Sequence, residues 1–444
     1  MNRSKIPYFF LALAAVLALS AVVLLFVKPG TSRSLTTSPP PVAETKAEPA
    51  AEPVPPVIPN LGEMPAPENP AKVLEDLGVG HKSVNPADLV ARIAKAIEAG
   101  DLATAAKLIG KDALDGPTLE RLKSLAAAQG LKLRQPGGVR EVGELELNAL
   151  ARWSLELDGP EAGRDRIFLD LRRKQGEWSV EKVTLPPAPN EPVPKAMLAD
   201  SLGIADAFLQ AVLKQDFEFA RAFVDPATVS DAKIAGLCIL FEEGGYRLRP
   251  SKPLRAMFQR QDTVGYLANV ETSDASQSAQ FAISLRQPPA PSNWLVSEIN
   301  LDQLLADYAR RVAGGDVYYS PLVKNPQGGD TLALYFEFDQ DEINPRTRRQ
   351  LEIVTMILKS DPGKKITLSG HTDALGTDAY NNQLSSRRAA VVRDYLAKSG
   401  VSEAQIITVA KGASQPRRPN MTESGDDDPE GRRANRRTEI YLDF

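Results

Sequence analysis

The order of apolar and polar positions divides the chain into four unlike stretches. From Ile6 to Val27 the residues are IPYFFLALAAVLALSAVVLLFV, without a single charge. At about 1.5 Å per residue a helix of that length rises about 33 Å, enough for a bilayer core. A cleaved leader has an apolar run of about 7–15 residues and then a small-residue cleavage site. Here Ala18-Leu19-Ser20 is followed by a further apolar run to Val27, so the pattern predicts an uncleaved transmembrane helix over 6–27. Arg3 and Lys5 precede the span and Lys28 and Arg33 follow it. A short basic leader before a large remainder favours an inside N-terminus with the bulk exported. The span holds no Asp, Glu, Lys or Arg, the groups an ion-coupled helix needs, so it reads as an anchor.

Residues 28–85 form the second stretch, with twelve prolines between Pro29 and Pro70 among Ala, Glu, Thr and Ser. That composition favours extended polyproline segments over a packed core, and at about 3.1 Å per residue it could reach on the order of 130 Å. It reads as a spacer.

The third stretch holds two similar units, 86–187 and 195–312. Ile93, Ile97, Leu102, Ala105 and Leu108 recur near helical spacing, as do Phe208, Val212, Phe217 and Phe223. Alternating segments follow, at Leu145–Trp153, Arg166–Leu171 and Trp178–Val183, each expected to be one strand. Helices before an antiparallel sheet make an α+β unit. Asp101 and Asp216, Gly130 and Gly245, and Arg134 and Arg249 each lie 115 positions apart, and Trp178 and Trp294 lie 116 apart. A constant offset indicates duplication. The proline-rich Leu185–Lys195 divides the units and suggests joints in a beaded, extended chain.

From Thr331 to Phe444 strands and helices alternate. TLALYFEF, KKITLSGH, IITVAKG and RTEIYLDF read as strands. One helix begins near Asn344 with Pro345 in its first turn, and another ends at Gly400. This βαβαβ order implies a mixed sheet.

Composition then removes whole classes of function. A net charge of −4 argues against a nucleic-acid coat. One cysteine, Cys238, excludes an internal disulfide framework, a Cys-based zinc site and an iron–sulfur cluster, and its apolar surroundings suggest a buried, inert thiol. The two histidines, His81 and His371, fall outside both repeated units, which argues against a His-dependent active site there. No cofactor, metal site or catalytic residue is expected.

Two residues carry candidate chemistry. Arg388 shares a helix face with Leu384, Val391, Val392 and Tyr395, and a guanidinium turned toward a core needs an anion to meet it. Arg387 points elsewhere. Asp373 follows the KKITLSGH strand, at the edge where open α/β sheets bind ligands. The two could pair as a structural bridge. Alternatively they could face a zwitterionic ligand, Arg388 taking its carboxylate through a planar fork and Asp373 its ammonium.

GHTDALG, Asn381 with LSSRRA, and NRRTEIYL closely resemble the OmpA-like peptidoglycan-binding domain, over Thr331–Phe444. The resemblance implies that Asp373 and Arg388 grip the ammonium and carboxylate of diaminopimelate in the peptide stem. It also implies that Thr372, Asn381 and Arg436 line the same pocket, and that His371 is structural. The chain departs from the family at Phe338-Asp339-Gln340-Asp341, which replaces the usual FDxN, and in an enlarged loop carrying Asp426, Asp427 and Asp428. That loop reads as solvated, with calcium binding the lesser alternative. The two upstream units more loosely resemble the nuclear-transport-factor-2-like (NTF2-like) cone fold in element order and in their closing W-x-V strand.

The expected molecule is therefore a multidomain α+β protein of the bacterial inner membrane, N-terminus cytoplasmic and bulk periplasmic. It is expected to bind peptidoglycan without catalysis, with other envelope proteins as partners of the repeats and no nucleic acid. A stator subunit is disfavoured by the uncharged span. A cell-wall enzyme or ligand-binding protein working through the repeats is the alternative.

Overall fold

A computed structural model describes residues 80–188, 190–193, 200–289, 292–311, 320–324, 330–336 and 342–442. The expected transmembrane helix over 6–27 and nearly all of the 28–85 spacer lie outside the described residues, as does the whole Phe338–Asp341 segment. Among the described residues no helix is long and apolar enough to cross a membrane.

The first unit opens with three helices, α1 (Pro86–Glu98), α2 (Leu102–Ile109) and α3 (Gly116–Gln129). An antiparallel sheet follows, ordered β1 (Val139–Glu146), β2 (Leu150–Glu156), β3 (Arg166–Lys174) and β4 (Glu177–Thr184). The single strand expected over Leu145–Trp153 is instead a hairpin. Glu146 faces Leu150, and Asn148 turns the chain at φ +54°. Asn tolerates the left-handed region, while the apolar–polar alternation runs on through the turn and hides it.

The second unit repeats the order with α4 (Ser201–Leu213), α5 (Phe217–Arg221), α6 (Asp231–Glu243), β5 (Tyr246–Leu248), β6 (Leu254–Gln259), β7 (Thr263–Thr272), β8 (Ser278–Arg286), β9 (Leu295–Asn300) and α7 (Asp302–Arg311). The helix starts of the two units correspond. Asn85, Asp101 and Asp115 cap α1, α2 and α3, and Asp200, Asp216 and Ser230 cap α4, α5 and α6, each pair 115 positions apart. Each cap accepts a backbone N–H that the helix itself leaves unpaired. Gly130 and Gly245 then leave the third helix of each unit at φ +66° and +58°.

The units are docked, not beaded. Arg140 on β1 donates twice to Asp206 of α4, at 2.8 and 2.9 Å. Arg152 on β2 bridges Asp170 and Asp200. Val142 and Phe168, on the outer face of the first sheet, join the core of the second unit. The linker is fastened as well: Arg121 and Arg164 donate to the carbonyls of Pro186, Pro187, Ala188 and Glu191.

The C-terminal domain comprises β10 (Leu322–Lys324), β11 (Asp330–Tyr335), α8 (Pro345–Ser360), β12 (Ile366–His371), α9 (Asp378–Lys398), β13 (Ile406–Gly412), α10 (Pro429–Asn435) and β14 (Arg437–Leu442). Its sheet is mixed, ordered β10-β11-β14-β12-β13, with β12 and β13 parallel and the other pairs antiparallel. The short β10 and α10 have no counterpart in the sequence reading. Helix α6 joins this domain to the second unit. Apart from Lys233 it is apolar on every side and buried along Ala232–Phe241, as such a helix must be. Lys364, in the loop before β12, pairs with Asp231 at 3.3 Å, and Arg349 of α8 with Glu242 at 2.6 Å. One hydrophobic core runs through both.

Candidate functional site

Helix α9 presents Asn381, Leu384, Ser385, Arg388, Ala389, Val392 and Leu396 to the protein, a face repeating at helical spacing. Val391 and Tyr395, expected on that face, are half-buried at its flanks. Arg387 is exposed. The helix lies tight on β12, for a Cβ at Gly370 would fall 2.0 Å from the Ser385 carbonyl. This contact drives Arg388 inward until none of it is exposed. Its Nη1 donates to the His371 carbonyl at 3.0 Å, and its guanidinium lies over the Phe336 ring, 5.4 Å from the centroid.

Asp373 leaves the end of β12 in a tight turn. Its Oδ1 accepts the Leu375 N–H at 3.2 Å, and its Oδ2 accepts Arg436 Nη1 at 3.0 Å. The structural bridge between Asp373 and Arg388 is thus not formed. Asp373 pairs with Arg436, the residue just before β14. The turn is braced from the enlarged loop, where Asn420 Oδ1 accepts the Ala374 N–H, and the wholly buried Asn435 donates to the same Asn420 oxygen.

Thr372, Asp373, Asn381, Arg388 and Arg436 all line one cavity of about 160 Å³. Thr372 is held through its N–H on the Gly412 carbonyl, while its hydroxyl has no partner. The Asn381 side-chain oxygen is likewise buried and unpaired. Buried polar atoms without partners are rare and costly, so a cavity lined by two of them is built for a polar guest. A carboxylate has about four lone-pair sites. Two are used on Asp373, which leaves room for an ammonium. Leu375, Gly376, Tyr380 and Leu384 complete the wall. The sequence reading missed these four, although Ala374-Leu375-Gly376 beside GHTD could have signalled the first two.

Behind the cavity His371 is buried, with its Nε2 3.6 Å from Glu439. Burial pushes the imidazole below its ordinary value, against the pull of Glu439. Burial alone would raise the Glu439 carboxyl, but His371, Arg437 and Tyr441 hold it well below the usual carboxylate range. The group serves as packing, and its backbone carbonyl holds Arg388.

In the enlarged loop, Asp428 caps α10 and pairs with Arg418, Asp427 pairs with Arg432, and Asp426 accepts from Ser424. Among the described residues no three metal-ligating side chains cluster. Cys238 is buried in α6, with its thiol pushed up to about 12. Trp178 is in the core of the first unit, and Trp294 packs half-buried against that of the second.

A model of the OmpA family matches residues 335–428. The chain is 29% identical over 181 residues to the photosystem I P700 chlorophyll a apoprotein A2 of Gloeobacter violaceus, covering 40% of this chain and 19% of that protein. It is 39% identical over 108 residues to outer membrane protein A of Bordetella avium, covering 24% and 53%. It is 41% identical over 83 residues to the peptidoglycan-associated lipoprotein of Pseudomonas aeruginosa, covering 19% and 49%. The chain thus spans from about a fifth to about half the length of these relatives.

Proposed function

Starting from residues 335–428 as a domain of the OmpA family, we propose that the chain tethers the cell envelope by gripping peptidoglycan without covalent linkage. The ligand is the diaminopimelate of the stem peptide. Its ammonium meets Asp373 and its carboxylate meets the fork of Arg388, with Thr372, Asn381 and Arg436 around it. Residues 6–27 anchor the chain in the bacterial inner membrane, N-terminus cytoplasmic, and the remainder is periplasmic. The two upstream units are a duplicated cone-fold module that docks other envelope proteins, and the whole acts by binding and not by catalysis.

The observation that carries this reading is a wholly buried guanidinium and a buried carboxylate opening on one cavity beside two unpaired polar oxygens. The name of the Pseudomonas relative, a peptidoglycan-associated lipoprotein, supports it. Co-sedimentation with purified sacculi tests it. Asp373→Ala and Arg388→Ala should each abolish binding while circular dichroism stays unchanged. Because Arg388 is buried, Arg388→Lys provides a second variant that keeps the charge and loses the fork. Undiminished sedimentation of Asp373→Ala and Arg388→Lys would overturn the assignment.

A further inference from the structure

The charged half of the cavity recognises an ammonium and a carboxylate, but every free amino acid carries that pair. Selectivity needs a second feature, and the apolar part of the wall supplies one. Leu384, 5% exposed, lies deep in the cavity, whereas Leu375 and Tyr380 keep 45% and 39% of their surface open to solvent. Large apolar groups left exposed at the rim of a pocket lined by buried charges mark contact with an apolar part of a ligand.

The lip is built in one piece with the charges. Leu375 donates its N–H to the Asp373 carboxylate, so the group that meets the ammonium also fixes the Leu375 backbone. Gly376 follows at φ +95°, a conformation that favours glycine, and a Cβ there would come 3.1 Å from the Tyr380 ring. The ring therefore rests on bare backbone. Tyr380 stands in the first turn of α9, with its N–H on the capping hydroxyl of Thr377 at 3.2 Å. One short turn and the start of one helix thus set the distance between charge and lip.

We propose that Leu375 and Tyr380 are specificity-determining residues that hold the aliphatic chain carrying the ligand's zwitterionic end. The site then takes an amino-acid head at the tip of several methylenes, and rejects the same head on a short side chain. This inference rests on the reading of Asp373 and Arg388 given above.

Calorimetric titration of the detergent-solubilised full chain tests it, with meso-diaminopimelate and D-alanine as probes. Burying each methylene implies about a fourfold gain, so the two by which diaminopimelate exceeds the single side-chain carbon of D-alanine give a preference of up to roughly 15-fold. A Leu375→Ser/Tyr380→Ser double variant should lose about tenfold or more for diaminopimelate, with D-alanine within twofold of its original value. Both substituted residues are exposed, so the fold is not at stake. Diaminopimelate binding that is lost in Asp373→Asn yet unchanged in the double variant overturns the lip and leaves the charged site standing. Diaminopimelate binding that is absent, or indifferent to Asp373→Asn, overturns both.

Discussion

Replacing Asp231 with alanine should unsettle two domains at once. Asp231 begins α6 in the second unit, and its carboxylate pairs with Arg221 on one side and with Lys364 of the C-terminal domain on the other. The Lys364 side chain is only 3% exposed and its ammonium lies 5.8 Å from the centre of the Phe217 ring. Removing the carboxylate takes the Asp231 partner away from that buried ammonium, and breaking a buried pair from one side costs about 3–5 kcal/mol. Arg221 is 36% exposed and can turn to water, so it adds little. At roughly 2–4 °C per kcal/mol for a body of this size, the midpoint should fall by about 10 °C. Urea unfolding followed by tryptophan fluorescence is the assay, because Trp153, Trp178 and Trp294 all lie upstream of the C-terminal domain. Trp294 packs against the shared core and should report a loss whose partner charge lies in the neighbouring domain. Asp231→Ala/Lys364→Met should recover most of the stability, since a buried pair replaced as a whole by apolar groups is often neutral. A loss below about 1 kcal/mol, or a double variant as weak as the single one, would refute the assignment of a shared, charge-pinned core.

Two further outcomes follow from buried titrating groups. The folded-state pKa of His371 lies below its ordinary 6.5 because of burial, so the unfolded chain binds the extra proton as pH falls through 6.5. Stability from this group is complete above that value and is lost below it; His371→Asn should flatten the slope of urea stability as pH falls below 6.5. An unchanged slope would remove His371 from the account. Cys238, with its thiol raised to about 12 by burial, should resist maleimide at pH 8 until α6 unfolds, and labelling at the rate of a free thiol would show that the helix is accessible.

Much of the fold was legible because local chemistry dictates it. Asp101 and Asp216 stand where helices start, and the same offset links Asn85 to Asp200 and Asp115 to Ser230, which the sequence reading did not pair. Arg388 stood out because a cation on an apolar helix face violates the usual pattern. Its joining with Asp373, Thr372, Asn381 and Arg436 in one cavity depends on a strand, a helix and the start of β14 meeting from distant parts of the chain. Resemblance anticipated that gathering, while spacing alone offered a bridge to Arg388 in place of the actual pair with Arg436. The docking of the first two units was hidden for a related reason. Arg140, Arg152, Asp200 and Asp206 each look like ordinary solvated charges, and only long-range folding matches them. The Asn148 turn escaped because alternation continues through it.

The place of β14 has a consequence for how the protein is made. It lies between β11 and β12 and pairs with both, so the middle of the sheet is the last strand of the domain to be synthesised. Leu332 meets Ile440 across more than a hundred residues of chain, a closure that must wait until β14 itself has been made. Arg436, which holds Asp373, stands immediately before that strand. A product truncated ahead of Arg436 would carry the GHTD turn and the whole of α9, yet leave β11 and β12 without their common neighbour. The cavity is thereby conditional on β14: a product cut short of Arg436 would lack the cation that holds Asp373.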